Sequence, residues 1–321
     1  MRKFLLLVNP VLQQTGGRRG DVARVTQIFR EAGVSADVQE TGENRAAGPK
    51  ASRAAAEGYD AVVVFGGDGT IFDVIQGVAG SSLPLGIIPF GTGNVLAQNL
   101  KVPKDPVAAA QWILRSVPRP VPLGKITCCL PEGRQSWFFA MAAGMGMHAA
   151  LMSAARRANK SVAGRAAYYA AGCSLLLNHP VQPFDIEMTT VSGSVLRDQV
   201  CEALALRVAE LNRWRPGGGL HFPFLRLATV RGHSRSRLAR ASFDALFRSA
   251  GARDRAHAED AAASYQDVVR VLCRPTPGQD YNPLIAVQAD GEVLGASCAE
   301  LEMAGLNVLL LSDKDQSLSG L

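Results

Sequence analysis

The stretch Asp60-Ala61-Val62-Val63-Val64-Phe65-Gly66-Gly67-Asp68-Gly69-Thr70-Ile71-Phe72 decides the fold. Its first half is apolar and β-branched, the composition of a strand covered on both faces of a parallel sheet. Ile71 to Ala79 follows with helical spacing. Between the two, three glycines around one Asp let backbone N–H groups approach an anion closely, at a helix N-terminus that carries partial positive charge. Asp68 suits a Mg²⁺ ion, often held through water, and the Thr70 hydroxyl can donate to a phosphate oxygen. The competing reading is a tight strand–helix turn with Asp68 as its N-cap. The five-residue string directly after Val62-Val63-Val64-Phe65 favours nucleotide binding.

Outward from this stretch, strand-like and helix-like runs alternate. Lys3 to Val8 reads as a buried strand and Asp21 to Ala32 as a helix stopped by Gly33. Val34, Ala36 and Val38 alternate as a strand, and Ala46 to Glu57 is an Ala-rich helix closed by Gly58. Leu85 to Pro89 is a short strand; Asn94 to Leu100 and Pro106 to Ser116 are helices. Such alternation implies an α/β domain with a parallel sheet covered on both faces, expected over residues 1–122. Val117-Pro118-Arg119-Pro120-Val121-Pro122 reads as a stiff connector. Beyond it strand-like runs dominate: Trp137 to Ala143, Phe184 to Thr190, Val200 to Val208, Val268 to Cys273, Leu284 to Gln288 and Leu306 to Leu311. They predict a mainly antiparallel, β-sandwich-like second domain over residues 123–321, with the extreme C-terminus packing back on the first. Ala149 to Ala158, Gly164 to Leu177 and Ser236 to Ala250 interrupt it as helices.

Two more glycine-rich turns follow strands of the first domain. Asn9-Pro10 precedes Gly16-Gly17-Arg18-Arg19-Gly20, and Pro89-Phe90 precedes Gly91-Thr92-Gly93-Asn94. In a doubly wound sheet, ligands sit outside the carboxyl ends of the strands, so all three turns should border one crevice. Thr41, after the second strand, could line it near a ribose.

These motifs together resemble the diacylglycerol kinase catalytic domain, whose superfamily includes bacterial lipid kinases, sphingosine kinases and ceramide kinases. The match covers about the first third of the chain. The resemblance implies an NAD-kinase-like and diacylglycerol-kinase-like nucleotide domain, ATP, Mg²⁺ and a lipid alcohol such as diacylglycerol or a sphingoid base. It assigns ATP contacts to Asn9, Pro10, Gly66, Gly67, Asp68, Gly69, Thr70, Gly91, Thr92 and Asn94; Thr41 joins them by its place after the second strand, and Asp68 is the metal candidate. Asp290-Gly291-Glu292 resembles the family's Asp-Gly-Glu motif, which implies Asp290 as proton acceptor with Glu292 supporting it, or the roles exchanged. Read on its own, Asp-Gly is a common hairpin turn pair.

Departures from the family pattern are visible. Val95 follows Asn94 where many bacterial members have Asp. His148 stands in Gly144-Met145-Gly146-Met147-His148-Ala149 where Asp is usual. An imidazole cannot replace a carboxylate in a Mg²⁺–water network without rearrangement. Leu225 to Leu238 contains no Asp or Glu, so a second, structural Mg²⁺ site is expected to be absent.

The 321 residues are 47% hydrophobic and 19% charged, ample for buried cores, and the net charge is +6. That charge suits phosphate ligands, an anionic membrane surface or nucleic acid, and the motifs select the first two. No apolar run is long enough to span a bilayer. Met1 to Val8 runs into Asn9-Pro10 without a cleavage site and reads as a strand, so a cytoplasmic, peripherally membrane-associated protein is expected. Arg213-Trp214-Arg215, Phe222, Phe224 and the arginine-rich helix near Arg235 are candidates for the lipid side, against a reading as ordinary packed and solvated residues. The six cysteines form no Cys-x-x-Cys pair and read as buried free thiols, with neither a zinc site nor a disulfide framework. An NAD kinase, which shares Gly-Gly-Asp-Gly-Thr, and a non-catalytic nucleotide-dependent membrane-binding protein remain alternatives.

Overall fold

The structure, a computed structural model, describes residues 2–10, 19–42, 45–150, 181–211, 214–232, 235–247, 262–276, 285–296 and 298–313. The chain forms two compact units, Met1–Leu123 with Gly305–Leu321, and Gly124–Ala304.

The first unit is built on a parallel sheet. β1 (Arg2–Val8) lies between β2 (Val34–Glu40) and β3 (Ala61–Gly66), and β4 (Leu85–Pro89) pairs the other edge of β3. The end of β14 (Ala299–Ser312) joins β4 through Leu310 opposite Leu85, also parallel. Leu5, Leu6, Leu7 and Val8 are buried in succession, as are Val62, Val63, Val64 and Phe65, so both faces of these strands are covered. The cover comes from α1 (Arg19–Glu31), which packs on α5 (Pro106–Arg115), and from α2 (Ala47–Ala54), which packs on α3 (Asp68–Val78). Asp105 caps α5 by accepting the Ala108 N–H at 2.8 Å, with Pro106 in the first turn. α2 has no side-chain cap of its own. Its cap comes from α3, where the buried Asp73 carboxylate accepts the N–H groups of Ala47 at 2.9 Å and Gly48 at 3.2 Å. The helices meet on glycine: a Cβ at Gly77 would lie 2.1 Å from the Gly48 carbonyl oxygen.

The second unit is mostly antiparallel, as its strand-like runs predict. β8 (Phe184–Thr190), β9 (Val195–Leu206), β10 (Leu225–Arg231) and β11 (Ser264–Pro275) pair cyclically, β8 and β10 each bonding to both β9 and β11. Both long strands change partner partway, with register shifts at Val230/Arg231 and Val268/Arg270. β7 (Ala142–Gly146) extends the sheet from β9, followed by the hairpin of β12 (Ala286–Ala289) and β13 (Glu292–Ala296). α6 (Arg235–Phe247) packs on β10.

Three local expectations are corrected. The proline-rich connector is the first half of a strand, β5 (Val117–Leu130), whose later half pairs with β6 (Gly133–Phe139). Prolines at alternate positions leave the intervening N–H groups of Val117, Arg119 and Val121 intact, and their fixed φ is compatible with extended chain. The run Trp137 to Ala143 is not one strand: β6 stops at Phe139 and β7 starts at Ala142, because the N–H groups of Ala140, Met141 and Ala142 bond to a side chain. Cys129 and Cys298 form a disulfide, while Cys128, Cys201 and Cys273 are buried free thiols as expected. The Cys129 N–H also bonds to the Cys298 carbonyl at 3.2 Å, and this backbone pairing sets the two sulfurs side by side across 169 residues of sequence. The helices expected within 151–180 lie outside the described residues.

Candidate functional site

In the first unit the glycine-rich turns leave adjacent strands in register. Gly66 ends β3 opposite Pro89 of β4, and the Phe90 N–H donates to the Gly66 carbonyl at 2.8 Å. The next residues of each turn touch: a Cβ at Gly91 would lie 2.8 Å from the Gly67 Cα. Only glycine backbones approach this closely. Asn94 has φ 50°, and its side chain closes the third turn on itself. Its Oδ1 accepts the Gly91 N–H at 2.8 Å and its Nδ2 donates to the Gly91 carbonyl at 2.7 Å. Asn94 therefore shapes the loop. Thr92 beside it is exposed.

Asp68 joins the second turn to the third. Its carboxylate accepts backbone N–H groups of Val95, Leu96 and Asn94 at the start of α4 (Val95–Asn99), while its Oδ1 is enclosed without a partner. Burial raises the carboxyl above its usual range, and the three N–H donors oppose that. No side chain caps α3, whose N-cap is Gly67. Asn9, just after β1, donates through Nδ2 to Thr70 Oγ1 at 3.4 Å, and Pro10 follows it. Thr41, just after β2, is buried and bonds through its N–H to the Val8 carbonyl. Asn9, Thr41, Gly66 to Thr70 and Gly91 to Asn94 thus all lie at the carboxyl ends of β1 to β4. Gly16, Gly17 and Arg18 lie outside the described residues. An orphan carboxylate oxygen beside two glycine turns fits a Mg²⁺ ion, which takes one or two carboxylates and fills its other positions with water and phosphate.

In the second unit, Asp290 and Gly291 have φ 49° and 83° and form the two-residue turn of the β12–β13 hairpin. The common-turn reading of Asp-Gly is therefore realised in the backbone, but the side chain does more. Asp290 is 5% exposed. Its Oδ2 accepts the Ala140 N–H at 2.8 Å, and its Oδ1 accepts those of Met141 at 2.8 Å and Ala142 at 2.9 Å. Glu292, at the start of β13, is half-buried. Gln288 supports the turn by accepting the Gly291 N–H at 2.9 Å.

His148 lies beside a residue that sequence reasoning missed. Its backbone N–H donates to Glu202 Oε2 at 2.9 Å, while Glu202 Oε1 and His148 Nδ1 are enclosed without partners. Burial pushes the Glu202 carboxyl up to about 8 and the His148 imidazole down to about 4, so both are largely uncharged at neutral pH. The sequence signal for Glu202 was a single acidic residue in the apolar strand Val200 to Leu206. Trp214, Phe222 and Phe224 are half-buried, and the rings of Phe222 and Phe224 stack at 4.9 Å. Arg213 lies outside the described residues.

Comparison with known proteins agrees with this geometry. Residues 3–126 match the sequence model of the diacylglycerol kinase catalytic domain. A diacylglycerol kinase of Bacillus subtilis (strain 168) is 29% identical over 194 residues, 59% of this chain and 59% of that protein. A diacylglycerol kinase of Mycobacterium tuberculosis (strain ATCC 25618 / H37Rv) is 43% identical over 91 residues, 28% of this chain and 29% of that protein. The chain thus spans less than two thirds of the length of these relatives. The crystal structure of a diacylglycerol kinase from Bacillus anthracis str. Sterne has the same fold, with TM-score 0.67 at 19% identity over 98% of this chain and 97% of that one. Sequence motifs, turn geometry and relatives converge, and residues 3–126 of this chain belong to the diacylglycerol kinase catalytic-domain superfamily.

Proposed function

We propose that this protein is an ATP-dependent lipid kinase that transfers the γ-phosphoryl group to the hydroxyl of a lipid such as diacylglycerol or a sphingoid base. The observation that carries this reading is the meeting of Gly67 with Gly91, bridged by Asp68, at the carboxyl ends of β3 and β4. Two backbones brought so close, with an uncapped helix start beside them, offer N–H groups to a polyphosphate. Asn9, Pro10, Thr41, Gly66, Gly69, Thr70, Thr92 and Asn94 complete the nucleotide-binding set. Asp68 would hold Mg²⁺ through its orphan oxygen, and the ion supplies charge neutralisation at the phosphates.

Phosphoryl transfer relies on positioning and charge stabilisation, with a carboxylate taking the proton of the attacking hydroxyl. The lipid oxygen bonds to the γ-phosphorus, ADP leaves, and the proton passes to the acidic pair Asp290 and Glu292. Asp290 is the proposed acceptor and Glu292 its support; the exchanged assignment gains from the three N–H donors on Asp290, which favour its ionised form and weaken it as a base. Incubation with labelled ATP, Mg²⁺ and mixed lipid alcohols should give labelled lipid in the wild type and none in Asp290→Ala. Comparing Asp290→Asn with Glu292→Gln separates the roles, because the acceptor's amide variant loses the acid limb of the pH profile. Labelled NADP from added NAD would overturn the reading. ATP binding without transfer to any acceptor would point to a non-catalytic membrane-binding protein, the reading that His148 favours.

No described helix is long and apolar enough to cross a membrane. Access to lipid is proposed to be peripheral, on anionic surfaces, so vesicle binding should weaken with added salt.

A further inference from the structure

Arg207 is 0% exposed and stands alone in the apolar run Leu204-Ala205-Leu206-Arg207-Val208. Among the described residues of the second unit, Arg207 and Asp290 are the charged side chains in the core. Taking a guanidinium out of water is costly unless its N–H groups and its charge are both answered. Carbonyls answer the terminal N–H groups: Nη2 donates to Leu220 at 2.7 Å, and Nη1 to Phe222 at 3.2 Å and Phe224 at 3.5 Å, with Met303 Sδ also 3.0 Å from Nη1, while Nε is enclosed without a partner. The anion acting on the charge is Asp290. Burial draws the guanidinium down to about 10, and Asp290 pulls it the other way.

The backbone links the same two residues. The Arg207 N–H donates to the Met141 carbonyl at 2.8 Å, and the Met141 N–H donates to Asp290 Oδ1 at 2.8 Å. One end of this chain of bonds is the proposed catalytic carboxylate. The other is the segment carrying the stacked rings of Phe222 and Phe224, aromatic surface suited to an acyl chain. A guanidinium is rigid and planar, so its fork fixes several carbonyls relative to one another where an ammonium would not.

We propose that Arg207 is a positioning residue that holds the Asp290 carboxylate and the Phe222–Phe224 segment in one fixed arrangement, coupling lipid engagement to orientation of the carboxylate. The inference rests on the lipid-kinase reading for its activity arm and stands without it for its structural arm. Arg207→Lys keeps the charge and loses the fork; Arg207→Met removes both. Arg207→Lys should raise KM for lipid about tenfold while KM for ATP stays within about twofold. Arg207→Met should in addition move the acid limb of the kcat profile up by about one pH unit, since losing a cation disfavours the ionised carboxylate. Hydrogen exchange in Arg207→Lys should show Ala140 to Ala142 and Leu220 to Phe224 losing protection together. Should Arg207→Met fail to fold, Arg207→Gln takes its place in the pH measurement. If Arg207→Lys lowers only the melting temperature, with lipid KM unchanged, or if the two segments lose protection independently, the proposal is overturned. A wild type that phosphorylates no lipid refutes the kinase reading, while the exchange measurement still decides the coupling.

Discussion

At the scale of single residues, the glycine-rich turns depend on atoms that are absent. A methyl group at Gly91 would meet the Gly67 Cα at 2.8 Å, and backbone cannot rotate aside as a side chain would. Gly91→Ala should part the two turns and weaken Mg²⁺–ATP binding at least about tenfold, measured by titration calorimetry; affinity at the wild-type level would show that the close approach is not needed. Glu202 provides a second test. Its folded value of about 8 lies above its ordinary 4.5, so from pH 4.5 to 8 the folded chain keeps a proton that the unfolded chain has lost, and stability falls as pH rises. His148, lowered from 6.5 to about 4, works the other way, adding stability as pH rises between those values. The two oppose each other up to pH 6.5, leaving a net fall from there to 8. The wild type should lose roughly 1 kcal/mol per pH unit in that window, and Glu202→Gln should flatten the loss. Melting temperatures at matched ionic strength decide it: equal slopes in both proteins would remove Glu202 as the cause. The sequence made the glycines legible because two backbones meeting this closely restrict residue type locally. It left Glu202 and Arg207 illegible as a site, because their importance comes from which backbone groups the fold brings to them.

At the scale of elements, helix α2 shows how tertiary contact replaces a local signal. Ala46 at its N-cap has no capping side chain, and nothing near it in sequence foretells Asp73 on α3. Asp73→Ala removes the one oxygen, Oδ2, that accepts two N–H groups at a buried helix start and should cost about 1–2 kcal/mol, read as a lower midpoint in denaturant. Asp73→Asn, which keeps one acceptor oxygen, should recover part of that; an unchanged midpoint in Asp73→Ala would mean that the cap contributes nothing. Strand and helix positions in the first unit were readable because continuous apolar runs and helical periodicity are local properties. The second unit was readable only in outline. Its strands were seen, but the break between β6 and β7 follows from amide groups turned to Asp290, some 150 residues away in sequence. The strand made from the proline-rich stretch likewise shows that alternate prolines constrain φ without excluding a pairing partner.

At the scale of the whole molecule, the second unit is held by a covalent link that cysteine spacing did not suggest. Cys129 closes β5 and Cys298 precedes β14, 169 positions apart in sequence. Spacing rules detect metal knots and small scaffolds, whereas this pair is set by two strand ends meeting. In the chain-entropy account a closed loop of that length restricts the unfolded ensemble by roughly 5 kcal/mol, an upper figure because unfolded chains retain structure. Cys129 is exposed, so a reductant reaches the bond without prior unfolding. The expectation of a cytoplasmic protein makes this testable, since such thiols are kept reduced there. Reduction with dithiothreitol should lower the melting temperature of the wild type by several degrees, corresponding to about 2–4 kcal/mol, and leave Cys129→Ser unchanged at the reduced value. The hairpin bearing Asp290 and Glu292 lies just upstream of Cys298 in sequence, so kinase activity should be assayed in both redox states. Equal melting temperatures with and without reductant, alongside two free thiols by titration at these positions, would show that the strand ends are held by packing alone.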